Sequence, residues 1–306
     1  MNIKRLKISA ILAVLTAGLF STQVVPALEY IDEQKDIKTS KLEYKASKLF
    51  LSMESTVTVD KKPVAAVLDD LVEPEKSDRS FVQPRGGSVF IVTTDTDNFG
   101  TRTRYTLWFD EAGAILQRLK VRSGDDNEIH LYRYASDGYL EYRKQFNNKK
   151  FSLNLQGIKN YQSLFHPYPA TETLNGDVTE SSAFLYLAGL LKLQKPGDTQ
   201  SFTVVSRGKL INVKMVVKAK RKLAVDYKVF SGSNNQHIEG KRDVLRIAIL
   251  PVDANGKPIK NFKMMGLQGK LTLYLDVQSR ALVQISGEVK VLGNVDIKLR
   301  KAVTTN

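Results

Sequence analysis

Leu271-Thr272-Leu273-Tyr274-Leu275-Asp276-Val277 alternates strictly between apolar and polar side chains. A period of two places Leu271, Leu273, Leu275 and Val277 on one face of an extended chain and Thr272, Tyr274 and Asp276 on the other. The same signature follows downstream, where Val295, Ile297 and Leu299 alternate with Asp296, Lys298 and Arg300, and upstream at Ile211, Val213, Met215 and Val217. A sheet with one apolar face must bury that face against something else. The fold class that follows is all-β.

Turn residues punctuate the chain at regular intervals: Asp110-Glu111-Ala112-Gly113, Ser123-Gly124-Asp125-Asp126-Asn127, Ser136-Asp137-Gly138, Ser206-Arg207-Gly208-Lys209 and Asp253-Ala254-Asn255-Gly256. Glycine and asparagine supply the backbone angles of tight hairpins. The spacing predicts roughly eleven to thirteen strands, mostly in up-and-down order from residue 45 onward. Two helical segments interrupt them. Val64 to Val72 follows Pro63, and Ser181 to Leu193 has Thr179 or Ser181 available as N-cap and Pro196-Gly197 as a stop. The second is apolar all round over Ala183 to Leu191, the mark of a buried helix. Phe146 to Thr179, around His166-Pro167-Tyr168-Pro169, reads as an ordered lid or a mobile loop, and Ser231 to Gly240 as a flexible loop.

The N-terminus reads as an export signal. Lys4, Arg5 and Lys7 precede an apolar run from Ile8 to Phe20, and Val25-Pro26-Ala27 fits a signal-peptidase site, which places cleavage after Ala27. The run falls short of the ~20 residues of a spanning helix, as does every later apolar stretch. Domain organisation is then a signal peptide, 1–27, and a single β-rich exported domain, 28–306, of 279 residues. Its expected place is the periplasm, soluble or peripherally attached to the envelope.

The chain has no cysteine, which removes disulfides, thiolate metal sites and cysteine nucleophiles together and leaves no residue for a lipoprotein anchor. Its formal charge is +14, or +11 without the three basic residues of the signal. Such an excess attracts anionic surfaces over a distance. Export makes nucleic acid an unsuitable partner and points to anionic lipid head groups, lipopolysaccharide or acidic polymers.

Catalytic signatures are missing from the sequence. His130, His166 and His237 are widely spaced and form no metal-binding pattern, and no Gly-x-Ser-x-Gly elbow, phosphate loop or dinucleotide fingerprint occurs. Among the carboxylates, Asp69-Asp70, Asp125-Asp126 and Asp95/Asp97 come in pairs, the last two read as turn residues. No cofactor is implied. The basic residues say more. Arg207, Lys209, Lys214, Lys218, Lys220, Arg221, Lys222 and Lys228 face a lone Asp226, with Lys218 to Lys222 expected at a positive hairpin tip. Arg102, Arg104 and Trp108 share a strand face opposite Tyr105, Leu107 and Phe109.

Ser182-Ala183-Phe184-Leu185-Tyr186-Leu187, then Leu193-Gln194-Lys195-Pro196-Gly197-Asp198, the charged strand pair from Gly208 to Lys218 and a closing run from Ser286 to Leu299 containing Gly293-Asn294 form a recognisable order. Over residues 180–300, and more loosely over 45–180, it resembles an exported bacterial family catalogued as domain of unknown function 3108 (DUF3108). Glu180-Ser181 stands where members usually carry Asp-Pro. The resemblance implies a periplasmic setting and a strongly curved antiparallel sheet, and it supplies no catalytic residues. By looser analogy the fold is similar to the half-barrels of lipoprotein and lipid carriers.

Together these readings give an all-β domain: a strongly curved antiparallel sheet, a half-barrel or nearly closed barrel, with one buried helix. The expected function is non-enzymatic, with an apolar or amphipathic, lipid-like ligand held in the concavity by Leu187, Ala188, Met215, Leu273 and Leu275. Lys218, Lys220, Arg221 and Lys222 are the expected anionic contact. The alternatives are an envelope assembly or interaction module docking through a basic face and, more weakly, a hydrolase of cell-wall or lipid material.

Overall fold

The computed structural model describes residues 30–31, 39–48, 51–73, 79–98, 101–124, 127–146, 155, 157–158, 161–168, 178–206, 209–253, 255–290 and 292–304. The expected export signal and cleavage site, and much of the 146–179 stretch, lie outside them.

Among the described residues the chain is mostly β, organised as one large curved sheet of fifteen strands with a single short α-helix. The first eight strands form a meander: β1 (Thr39–Lys48), β2 (Leu51–Pro63), β3 (Ser88–Asn98), β4 (Thr101–Asp110), β5 (Ile115–Ser123), β6 (Glu128–Ala135), β7 (Gly138–Gln145) and β8 (Gln162–Pro167). The rest are β9 (Val178–Thr179), β10 (Thr199–Ser206), β11 (Lys209–Ser231), β12 (Asn234–Val252), β13 (Gln268–Asp276), β14 (Leu282–Val289) and β15 (Gly293–Thr304). The order along the sheet is β8 back to β1, then β15 back to β9, so the two ends of the chain pair with each other. Up-and-down order therefore holds from β1 to β8 and from β10 to β15. The strand count exceeds the expected range because β8 and the two-residue β9 lie in the stretch whose pattern lapses; β8 owes its place to its ladder with β7.

All named pairings are antiparallel except β9 with β10 and β11 with β15. The second is a closure. β11 is 23 residues long, carries a bulge between Val217 and Ala219, and runs on with β12 until Lys228–Ser231 lies against Lys301–Thr304. A bulge bends a strand and increases its twist, which lets one long ribbon leave the sheet and return to it.

Two expectations about this ribbon are corrected. Lys218 to Lys222 is not a hairpin tip but mid-strand, and Ser231 to Gly240 is not a flexible loop. Ser231 pairs directly with Asn234, so the turn is Gly232-Ser233 and the polar run Asn234–Gly240 belongs to β12. Its residues have weak strand propensity, but a continuous ladder with β11 satisfies their backbone groups and overrides that preference.

The helix α1 spans Phe184–Leu190, preceded by a 3-10 turn at Ser181–Ala183. It is shorter than expected, and neither Thr179 nor Ser181 caps it. Its C-terminal end is fixed from outside. The Arg280 guanidinium donates to the carbonyls of Ala188, Gly189, Leu191 and Leu193 at 2.7–3.3 Å, taking over acceptors that a helix end leaves free. Val64 to Val72 forms two 3-10 turns, Val64–Ala66 and Leu68–Asp70, rather than an α-helix.

Two apolar cores lie on opposite faces of the β3–β7 region. Phe90, Val92, Leu107 and Phe109 join the main core with α1 and the inner faces of β11–β15. Val89, Ile91, Trp108, Ile129 and Leu131 form a second core with Val67, Leu71 and Val72. Burial on both faces explains why these strands mix apolar residues at odd and even positions.

Candidate functional site: a cationic sheet face

The five residues expected to hold a ligand are brought together, but as packing. Leu187, Ala188, Met215, Leu273 and Leu275 are each 0% exposed and belong to one continuous core. Met215 stands opposite Ile249, Leu273 opposite Ile247 and Ile285, and Leu275 opposite Leu245 and Leu282. Apolar atoms enclosed on all sides gain dispersion contacts that an open cavity would forfeit.

The four expected anionic contacts are separated. Alternation along β11 puts Lys220 and Lys222 on one face and Arg221 on the other, where its guanidinium lies 4.7 Å from the centre of the Tyr274 ring. Lys218 is the extra residue of the bulge and is exposed. The face of Lys220 and Lys222 is not strongly basic, because the β11–β12 ladder also brings acids to it. Lys222 pairs with Asp243 at 3.5 Å, and Asp226 takes His237 at 2.8 Å and Arg300 at 3.2 Å.

The other face carries a group of exposed cations that make no ion pair with a described residue. Lys214 of β11 stands opposite Leu250 of β12; Arg246 of β12 stands opposite Ala219 on one side and Tyr274 of β13 on the other. Thr272 stands opposite Ala248, and Lys270 lies two residues before it on β13, so these side chains share a face. Lys214, Lys218, Arg246 and Lys270 are exposed, and none makes an ion pair with a described residue. Leu250, 39% exposed, sits among them. Residues 199–290 hold seventeen Lys and Arg against six Asp and Glu, an excess of eleven out of +14 for the whole chain. Arg246 and Lys270 lie apart from the basic run in sequence, and only the β12–β13 register adds them to it.

A second polar cluster joins residues that sequence spacing keeps apart. Glu141 of β7 accepts from His130 Nδ1 at 2.6 Å and from His166 Nε2 at 2.8 Å. His130 Nε2 lies 3.1 Å from Glu128, which also pairs with Lys120. The two ring nitrogens of His130 thus face one carboxylate each. The His130 and His166 contacts outweigh burial and hold the Glu141 carboxyl down at about 2. Burial raises Glu128, but Lys120 and His130 overcome it and also hold that group at about 2. Nearby, Glu180 Oε1 accepts from Arg118 at 2.8 Å and from the Tyr134 hydroxyl at 2.7 Å, with Arg118 between the rings of Tyr105 and Tyr132. The short Ser136-Asp137 turn sets the register Tyr132↔Glu141, and that register carries the only sequence signal for the cluster.

These groups bind one another. Among the described residues, no group of three or more histidine, aspartate or glutamate side chains is arranged to hold a metal ion. Asp95 and Asp97 are strand residues of β3, not turn residues, and Asp95 is bridged by both Arg102 and Arg104. Those two arginines share this one carboxylate, while Trp108 of the same strand is buried in the second core. No helix among the described residues is long and apolar enough to cross a membrane.

Compared with known proteins, the chain matches no family model, no curated protein and no solved structure. The resemblance to DUF3108 thus rests on the quoted residues alone.

Proposed function

We propose that the protein is a non-enzymatic component of a bacterial cell envelope, exported by its N-terminal signal, that works as an interaction module docking on an anionic partner. The observation that carries this reading is the face of β11–β13 on which Lys214, Arg246 and Lys270 stand exposed without a carboxylate partner among the described residues. Cations held together without counter-charges repel one another at the expense of stability. A partner that brings negative charge relieves this repulsion.

A lipid-like ligand in the concavity is the second reading, favoured by the convergence of α1 with β11, β13 and β14 in one apolar core. Because its five lining residues are fully enclosed, it requires α1 to move away from the sheet. Retention on isolated envelope fractions separates the two. Docking through the basic face gives retention that falls steeply between 50 and 500 mM salt and disappears on reversing Lys214, Arg246 and Lys270 to Glu. Salt-independent retention, or full retention of the reversed variant, rejects the docking reading. Co-purifying lipid released by organic solvent supports the carrier.

A further inference from the structure

Deepening the basic-face reading, on which it rests, we infer that the partner of the β11–β13 face is the head-group layer of an anionic lipid bilayer. The argument begins with how the charges are laid out. Lys214, Arg246 and Lys270 sit on three successive strands, with Lys218 and Arg221 further along the first. Strand spacing and rise make the patch about 10 Å across the strands and about 20 Å along them. Its cations do not converge on one point, as they do around a single bound phosphate. They are spread over one sheet face and match a partner whose negative charges form a two-dimensional array.

The residues between the cations select the kind of array. Leu250, opposite Lys214, is one of the few large apolar side chains exposed among the described residues, and Val216 and Ala248 are a directly opposed pair beside it. An isolated surface leucine needs no explanation. One that shares a sheet face with lysines and an arginine unpaired among the described residues makes an apolar centre beside cations. Lys and Arg keep their charge at the head groups while their stems and the leucine enter the apolar boundary beneath. Arg221, stacked on Tyr274, is held in place at the rim. A soluble polyanion satisfies the cations but leaves Leu250 in water. The opposite face of the β11–β12 ribbon, where Lys222 and Asp243 pair and Asp226 is shared by His237 and Arg300, lacks this layout.

The test is co-sedimentation of the protein purified from cells with vesicles of phosphatidylcholine alone or with one third phosphatidylglycerol. Binding is expected only to the anionic vesicles and weakens in 500 mM salt. Each single change, Lys214→Gln, Arg246→Gln or Lys270→Gln, lowers affinity roughly five-fold, the factor given by about 1 kcal/mol per charge near an anionic membrane surface. Leu250→Ser lowers it further without altering the salt dependence. Lys220→Glu with Lys222→Glu, on the other face, changes it less than any single change in the patch. All these sites are exposed, and near-ultraviolet circular dichroism verifies that each variant is folded. Equal binding to both vesicle types, or undiminished binding by the triple Lys214→Glu/Arg246→Glu/Lys270→Glu variant, overturns the inference. If vesicles are ignored but dextran sulfate is bound and the triple variant loses it, the lipid inference fails while the basic-face reading stands. If neither is bound, both fall.

Discussion

His130 Nδ1 lies 2.6 Å from Glu141 Oε1 across the β6–β7 ladder, although Glu141 stands directly opposite Tyr132 and His130 opposite Arg143. The contact is diagonal, and it ties together strands near the open edge at β8, whose His166 reaches the same carboxylate.

This geometry predicts an acid-sensitive stability. Glu128 and Glu141 titrate at about 2 in the folded protein, below the ordinary ~4.3 of an unfolded chain. A depressed carboxylate contributes stability that is fully present above the unfolded value and lost as pH falls through the folded one. Urea midpoints are expected to decline between about pH 5 and pH 2, and Glu141→Gln flattens that decline. A variant whose midpoint tracks the parent over this range refutes the assignment.

The histidines are expected to be structural. His130→Gln leaves one of two carboxylates without its donor and costs about 1–2 kcal/mol at pH 6. The exposed His237→Gln changes stability by less than about 0.5 kcal/mol. Replacing all three yields a folded protein that keeps its activity in any deletion-rescue assay. Loss of rescue by a folded triple variant contradicts this.

Arg280 is the external cap of α1. Burial pushes its guanidinium down to about 10, still charged at neutral pH. It adopts φ 58°, in the left-handed region. Arg280→Ala leaves buried carbonyls unpaired and is expected to cost about 2–4 kcal/mol, measured by chemical denaturation. Lys restores little, because an ammonium lacks the planar fork that reaches several carbonyls at once. Recovery of most of the stability by Arg280→Lys points to charge alone.

Ala188→Trp tests how full the core is. Ala188 is 0% exposed on α1, so the larger side chain overpacks its site and costs at least about 1–3 kcal/mol. An unchanged or raised melting temperature reveals room for a ligand instead.

Export is tested directly. N-terminal sequencing of the protein from the periplasmic fraction is expected to begin at Leu28, and recovery of the full-length chain only from the cytosol excludes cleavage after Ala27.

The fold class was legible because period-two alternation is a local property. Leu271-Thr272-Leu273-Tyr274-Leu275 and Val295-Asp296-Ile297-Lys298-Leu299 each have one face that must be buried, whatever the neighbours. The apolar run before Leu191 likewise announced a buried helix, and Asp110 to Gly113 a turn, with Gly113 at φ 85°. Signals weakened where partners decide. Asn234–Gly240 is strand because β11 lies beside it, and α1 stops after Leu190, where Arg280, distant in sequence, meets its last carbonyls.

For the candidate site, the sequence by itself determined composition: a basic excess concentrated toward the C-terminal half and a strand able to display it. Only the tertiary structure decided which cations stand together. Ladder register, set by backbone hydrogen bonds between strands, placed Arg246 and Lys270 with Lys214 and put Lys220 and Lys222 on the face that also carries Asp243 and Asp226. A one-residue change of register reverses the face of every side chain in a strand, so charge counts along the chain cannot fix a charged surface. The same rule joined His130 and His166 through Glu141, a contact that neither residue's local sequence encodes.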